Sequence, residues 1–127
     1  MQEISAAQTT TCKTPSEIGA LSQRLGKILR AFGHARGRGH MTADEVLIFL
    51  ALGHLGQTAN SIGVSIRPVT NLDLAELLQI PKETIRRKTS RLVELQLAEA
   101  TTRGVLIRNQ EEWRRLASSI ADGACLS

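Results

Sequence analysis

From Thr70 to Arg108 the chain reads TNLDLAELLQIPKETIRRKTSRLVELQLAEATTRGVLIR. Leu74, Ala75, Leu77 and Leu78 recur as the inward face of a short helix, with Thr70 as its cap and Asp73 as the reciprocal acid. Ile80-Pro81 marks a turn, and Pro81 suits the start of a second helix because its missing N–H is not needed there. That second helix extends to about Leu95. Residues 97–100 and 105–108 follow as two short strands around a Thr102-Arg103-Gly104 tip. Between Pro81 and Arg108 stand seven cations (Lys82, Arg86, Arg87, Lys88, Arg91, Arg103, Arg108) and three anions (Glu83, Glu94, Glu99), a surplus of four. The whole chain has 16 Lys and Arg against 12 Asp and Glu, also +4, so the remainder balances at nine against nine.

Helix, turn, cationic helix and hairpin in this order describe a winged helix-turn-helix, whose second helix is shaped to enter a DNA major groove. Taking about 100° per residue and Ile85 as the inward direction, Thr89, Leu92 and Gln96 lie within about 40° of it and form the buried stripe. Glu83, Arg87 and Ser90 point outward, flanked by Arg86 and Arg91. Arg can hold guanine O6 and N7 with two hydrogen bonds, and Glu can accept from cytosine N4. Lys88 and Arg91 suit phosphate, and Arg103 at the hairpin tip is open to two readings: a minor-groove or phosphate contact, or a solvated turn residue. The plainer reading of the helix is a solvated charged face with Glu83 paired to Arg87 at i, i+4. The turn before it, the hairpin after it and the charge balance elsewhere favour DNA.

The rest of the chain frames this segment. A length of 127 residues with 42% hydrophobic content fits one globular domain. Residues 1–14, polar and without periodicity, read as a disordered arm, and residues 15–122 as a single winged-helix domain. Within it 70–96 is the helix-turn-helix, 97–108 the wing and 110–121 a closing helix. The first helix starts at Ser16, after Pro15, and carries Ile18, Leu21, Leu25, Ile28, Leu29 and Phe32 on one stripe. It is expected to end in a glycine-rich basic loop over 33–40, with Arg36 and Arg38 in solvent. Thr42 and Glu45 form a capping box for a helix that is apolar nearly all round and stops at Gly56. Ile62, Val64 and Ile66 alternate, as a short strand pairing with the wing before Pro68 would. Asn109 and Glu112 cap the closing helix, with Trp113, Leu116, Ala117 and Ile120 on one face.

Two resemblances add to this. Pro-Lys-Glu-Thr-Ile-Arg-Arg at 81–87 resembles the Ser-Arg-Glu-Thr-Val-x-Arg recognition motif of the cyclic-AMP-receptor type of regulator, and Leu-Ala-Glu-Leu-Leu at 74–78 resembles the helix before it. The resemblance covers about 40 residues. It implies base contacts from Lys82, Glu83 and Arg87 and a phosphate contact from Thr84. Lys82 stands where that family has Arg, and Gln79 where it has a turn glycine. The family's nucleotide-binding β-roll has no counterpart here. The overall layout resembles a short multiple-antibiotic-resistance-regulator (MarR) type protein, which implies dimerisation through the terminal helices.

Other chemistries lack their signatures. His34, His40 and His54, with Cys12 and Cys125, have no metal-ligand spacing. No Gly-Lys-Ser/Thr follows the glycine-rich stretch, so it is not a phosphate loop. No catalytic arrangement stands out, and no cofactor is implied. Phe32, Phe49 and Trp113 sit on apolar stripes, which argues against single-strand binding by stacking. A pI of about 9.7 points to an anionic partner. The narrow stripe behind the basic helix does not suit a membrane surface. The Met-Gln-Glu-Ile start has no basic region followed by an apolar stretch, so no signal peptide is expected, and two distant cysteines fit free thiols in a reducing cytoplasm. The expectation is a non-enzymatic, cytoplasmic, mostly α winged-helix protein that binds double-stranded DNA and regulates transcription. It would act as a homodimer through residues 16–32 and 110–121. The alternative from another class is a winged-helix protein-interaction module in a regulatory or replication assembly.

Overall fold

The computed structural model describes residues 14–124. The proposed N-terminal arm, apart from Thr14, and both cysteines lie outside the described residues. The chain runs α1 (Pro15–Gly39), α2 (Ala43–Gly56), β1 (Gln57–Ala59), β2 (Val64–Ile66), α3 (Asn71–Leu78), α4 (Lys82–Glu94), β3 (Ala98–Thr101), β4 (Gly104–Ile107) and α5 (Gln110–Ala124). The fold is mostly helical, with two separate two-stranded antiparallel hairpins. No helix among the described residues is long and apolar enough to cross a membrane.

The central element is α2. Val46, Ile48, Phe49 and Leu52 are fully buried, as its near-continuous apolar sequence demands. Thr42 and Glu45 form the expected capping box, and the helix ends at Gly56 as expected. Around α2 close Leu74 of α3, Ile85 and Leu92 of α4, Val105 and Ile107 of β4, and Leu116 of α5. At the crossing with α5, Gly53 is essential: a Cβ there would lie 2.1 Å from the Trp113 indole. Trp113 Nε1 donates to the Leu50 carbonyl at 3.2 Å, so the ring's single polar atom is satisfied where it packs.

Several expectations are corrected. α1 does not stop at Phe32. It continues as helix through the glycine-rich stretch to Gly39, and its left-handed stop is His40 (φ 57°). Ala31 and Ala35 are buried under α5, and that packing outweighs the poor helix propensity of Gly33 and Gly37. Arg36 and Arg38 therefore stand on a helix. Its start is also earlier, at Pro15, with Thr14 and Glu17 as a capping box. Residues 57–66 do not pair with the second hairpin but with each other, because Asn60 Oδ1 accepts from the N–H groups of Ile62 and Gly63 and closes a tight turn. The cross-connection comes after Pro68: Val69 and Val105 exchange backbone hydrogen bonds of 2.8 and 2.9 Å. That approach requires Gly104, whose φ is 146° and where a Cβ would meet the Val69 carbonyl oxygen at 2.5 Å. Leu77, expected inside, is 47% exposed, since the eight-residue α3 fully buries only Leu74. Gln96 is not on the buried stripe; α4 ends at Glu94, and Gln96 is exposed with φ 64°. The Asn109 cap holds, accepting from Glu112 N–H at 3.0 Å.

Gly53→Ala is expected to destabilise the fold by about 1–3 kcal/mol through overpacking against Trp113. Gly33→Ala, where a Cβ meets nothing within 4 Å, is expected to stabilise it by about 0.5–1 kcal/mol through helix propensity. Urea unfolding followed by fluorescence of the single tryptophan checks both.

Candidate nucleic-acid interface

The candidate site is built on α3, the turn after it, α4 and the β3–β4 hairpin. Thr70 Oγ1 accepts from Asp73 N–H at 3.1 Å and starts α3, but Asp73 does not act as the expected reciprocal acid, since its side chain takes no hydrogen bond from the Thr70 N–H. The turn keeps its left-handed residue although no glycine is present: Gln79 has φ 57° and ψ 40°, and its Nε2 donates to the Glu76 carbonyl at 2.8 Å. Pro81 follows as the N-cap of α4, with no N–H to satisfy. Ile85, Thr89 and Leu92 are buried, as their spacing requires, and the Thr89 hydroxyl donates to the Arg86 carbonyl at 3.0 Å. The register of the helix is therefore fixed by three side chains on one face.

That register sets the opposite face. Lys82, Glu83, Arg86, Arg87, Ser90 and Arg91 are exposed, and Thr84 is half-buried. The plainer pairing of Glu83 with Arg87 is not the one made: Arg86 takes Glu83 at i, i+3, with Arg86 Nε donating to Oε1 at 3.2 Å and a second contact from Nη2 to Oε2. The Arg86 guanidinium, through this hydrogen bond and its charge, holds the Glu83 carboxyl below the usual carboxylate range, and the Arg86 pKa is raised reciprocally. Lys82, Arg87 and Arg103 make no ion pair within 4.0 Å among the described residues.

Lys88 and Arg91 are placed differently. Glu45 is 3% exposed, and its two carboxylate oxygens divide their duties. Oε1 accepts from Thr42 N–H at 2.9 Å in the capping box, while Oε2 lies 3.6 Å from Lys88 Nζ and 3.9 Å from Arg91 Nε. Lys88 is half-buried and also reaches Thr42 Oγ1 at 3.4 Å. Arg91 leans in addition toward Glu94 at 3.8 Å. The partner that holds these two cations is more than 40 residues away in sequence, and no local spacing signals it.

Two grooves flank α4. One, of about 390 Å³, lies between α4, the hairpin and the start of α3 and brings Arg86, Ser90 and Arg103 together with Thr70, Asn71 and Thr101. Asn71 Oδ1 is buried there and has no hydrogen-bond partner. Thr70, Asn71 and Thr101 are additions to the residues read from the sequence. The helical pattern of 70–78 marks the first two as helix start and carries no sign that they face the hairpin. The second groove, of about 350 Å³, holds Arg87 beside Lys88, Arg91 and Glu45. Lys82, Glu83 and Thr84 line neither groove and lie at the N-terminal end of the helix. Among the described residues no three His, Cys, Asp or Glu side chains group to hold a metal. No protein-family model matches the chain, and no curated protein is significantly similar to it.

Glu45→Gln keeps the capping box, since Gln serves in it as well as Glu, and removes the charge facing Lys88 and Arg91. The expected loss is about 1–2 kcal/mol, below the usual cost of breaking a buried pair because both cations retain solvent contact. A lower urea midpoint with unchanged helical circular dichroism is the expected result.

Proposed function

We propose that α3, its turn, α4 and the β3–β4 hairpin form a winged helix-turn-helix that binds double-stranded DNA sequence-specifically and regulates transcription. The observation that carries this reading is the outward face of α4. Arg86, Arg87 and Ser90 stand exposed on a helix whose inward face is locked, beside a hairpin that presents Arg103 to the same groove as Arg86 and Ser90. An exposed guanidinium on a rigid helix suits guanine, and Arg103 at a hairpin tip suits the backbone or the minor groove. Lys82 and Glu83 at the start of α4 complete the base-facing set, and Thr84 the phosphate set. Lys88 and Arg91 contribute to phosphate attraction only in part, because Glu45 offsets their charge.

The proposed state is a homodimer. Ile18, Leu21, Leu25 and Leu29 are 44–61% exposed and form one stripe along the first half of α1. The apolar face of α5 is less available, since Leu116 is buried and Trp113 packs on α2 of the same chain. The contact proposed here therefore rests mainly on α1. Such a stripe is covered when a second copy meets it, and a two-fold axis would present two recognition helices to half-sites about 34 Å apart.

Selection of bound sites from random duplex DNA tests the reading directly, and enrichment of no sequence overturns it. Arg87→Ala is expected to cost about 1–3 kcal/mol and to relax preference at one base pair. Arg103→Ala is expected to lower affinity with little change in the selected sequence. Binding should weaken steeply between low and physiological salt. Sedimentation at micromolar concentration should give twice 13.8 kDa, reduced to the monomer mass by Leu25→Asp.

A further inference from the structure

Outside residues 81–108 cations and anions balance in number but not in place. α1 carries Arg24, Lys27, Arg30, Arg36 and Arg38 against Glu17 alone. The compensating acids lie elsewhere, as Asp44 and Glu45 on α2 and Asp73 and Glu76 on α3 do. At about 100° per residue, Lys27, Arg30 and His34 fall roughly 120–180° round the helix from Ile18. The basic face and the exposed apolar stripe of α1 thus look in different directions, and covering one leaves the other open.

The basic face forms one wall of a cleft of about 450 Å³ between α1 and α5. Arg115 and Ser119 line the other wall, over buried Ala31, Ala35 and Leu116. Glu112 is the one acid in the lining, and it is engaged with Arg115 at 2.5 Å. Lys27 and Arg30 make no ion pair within 4.0 Å among the described residues. Arg38 Nη1 lies 3.1 Å from His34 Nε2. A guanidinium only donates, so His34 Nε2 is the acceptor of this hydrogen bond. The cleft is therefore lined by an ammonium, a guanidinium, an imidazole and a hydroxyl around an apolar floor.

We propose that this cleft binds a small phosphate-bearing ligand, a phosphomonoester whose organic part lies along Ala31, Ala35 and Leu116. Donors from two walls suit the several oxygens of a phosphate dianion better than the two of a carboxylate, and charge-assisted hydrogen bonds to it are the strong ones. The volume falls in the range of small-ligand sites. The cleft lies between α1 and α5 and shares no lining residue with either groove beside α4, so ligand and duplex occupy different surfaces.

The test measures thermal unfolding and calorimetric binding of the full chain with inorganic phosphate and with ribose 5-phosphate, against sodium chloride at equal ionic strength. Both phosphates should raise the unfolding midpoint above the chloride control, ribose 5-phosphate binding more tightly. The Lys27→Gln/Arg30→Gln double variant should weaken binding at least tenfold, Ser119→Ala should weaken it by less, and Arg87→Ala should leave it unchanged. A midpoint shift no larger than that of chloride, or one retained in the double variant, overturns the proposal. So does a double variant that loses affinity for duplex DNA while neither phosphate binds the parent protein, since the same cations would then serve a nucleic-acid backbone. Because Arg87→Ala is aimed at DNA and the double variant at the cleft, the two readings fail separately.

Discussion

A carboxylate buried to 3% exposure must be answered on every side, and Glu45 is answered by two elements at once. One oxygen closes the first turn of α2 through the Thr42 N–H; the other faces Lys88 and Arg91 of α4. The central helix cannot begin where it does without a cap, and the charge of the cap cannot stay buried without α4 laid across it. The buried stripe Ile85, Thr89 and Leu92 fixes which face of α4 looks inward. The Glu45 carboxylate adds ion pairs to Lys88 and Arg91 across the same contact. Through the stripe and this carboxylate together, the inner hydrophobic helix sets the orientation of the exposed cationic face.

The other end of the frame rests on close approach. Gly53 lets the Trp113 indole lie against α2, and α5 is held there while its other contacts go to α1. Gly104 lets β4 come up to Val69, so the hairpin is tied to the segment that leads into α3 as well as to α4. Arg103 is next to that tie. Backbone hydrogen bonds between Val69 and Val105 hold the hairpin beside the groove that Arg103 shares with Arg86 and Ser90.

What was legible in the sequence was what depends on spacing. The Thr42–Glu45 capping box, the stripe Ile85–Thr89–Leu92, the stop at Gly56, the Asn109 cap and the hairpin, shifted by one residue from the expected 97–100 and 105–108 to 98–101 and 104–107, follow from local periodicity and side-chain chemistry, and the structure has them. What was not legible depends on contacts between distant residues. The glycines at 33, 37 and 39 read as a loop because propensity is local, whereas the burial of Ala31 and Ala35 beneath α5 is not. Gln96 falls on the buried stripe only if α4 reaches it, and the helix ends at Glu94. Lys88 read as a phosphate cation because its wheel position says nothing about Glu45, 43 residues earlier. For the candidate interface, the outward set on α4 was visible in the sequence, while Thr70, Asn71 and Thr101 became visible only when the hairpin folded back beside α3.

Net charge illustrates the same limit in a form that bears on function. A sum over the chain assigns the whole surplus of four to residues 81–108. In the structure Glu45, from outside that segment, offsets part of the surplus by facing Lys88 and Arg91, Glu83 and Glu94 pair with Arg86 and Arg91, and the cations of the segment without an acidic partner within 4.0 Å among the described residues are Lys82, Arg87, Arg103 and Arg108. α1 meanwhile holds five cations against one anion, hidden in the sum by acids on other elements. Field at a surface falls off within about a Debye length, roughly 8–10 Å, so acids on another face do not cancel it locally. An anion meeting this protein therefore encounters two basic regions, one along α4 and the hairpin and one in the cleft between α1 and α5. In the readings proposed above, an extended polyanion would follow the exposed face of α4 to the hairpin tip, and a compact anion would lie between the two walls of the cleft. Because the two regions share no lining residue, each can be altered without touching the other.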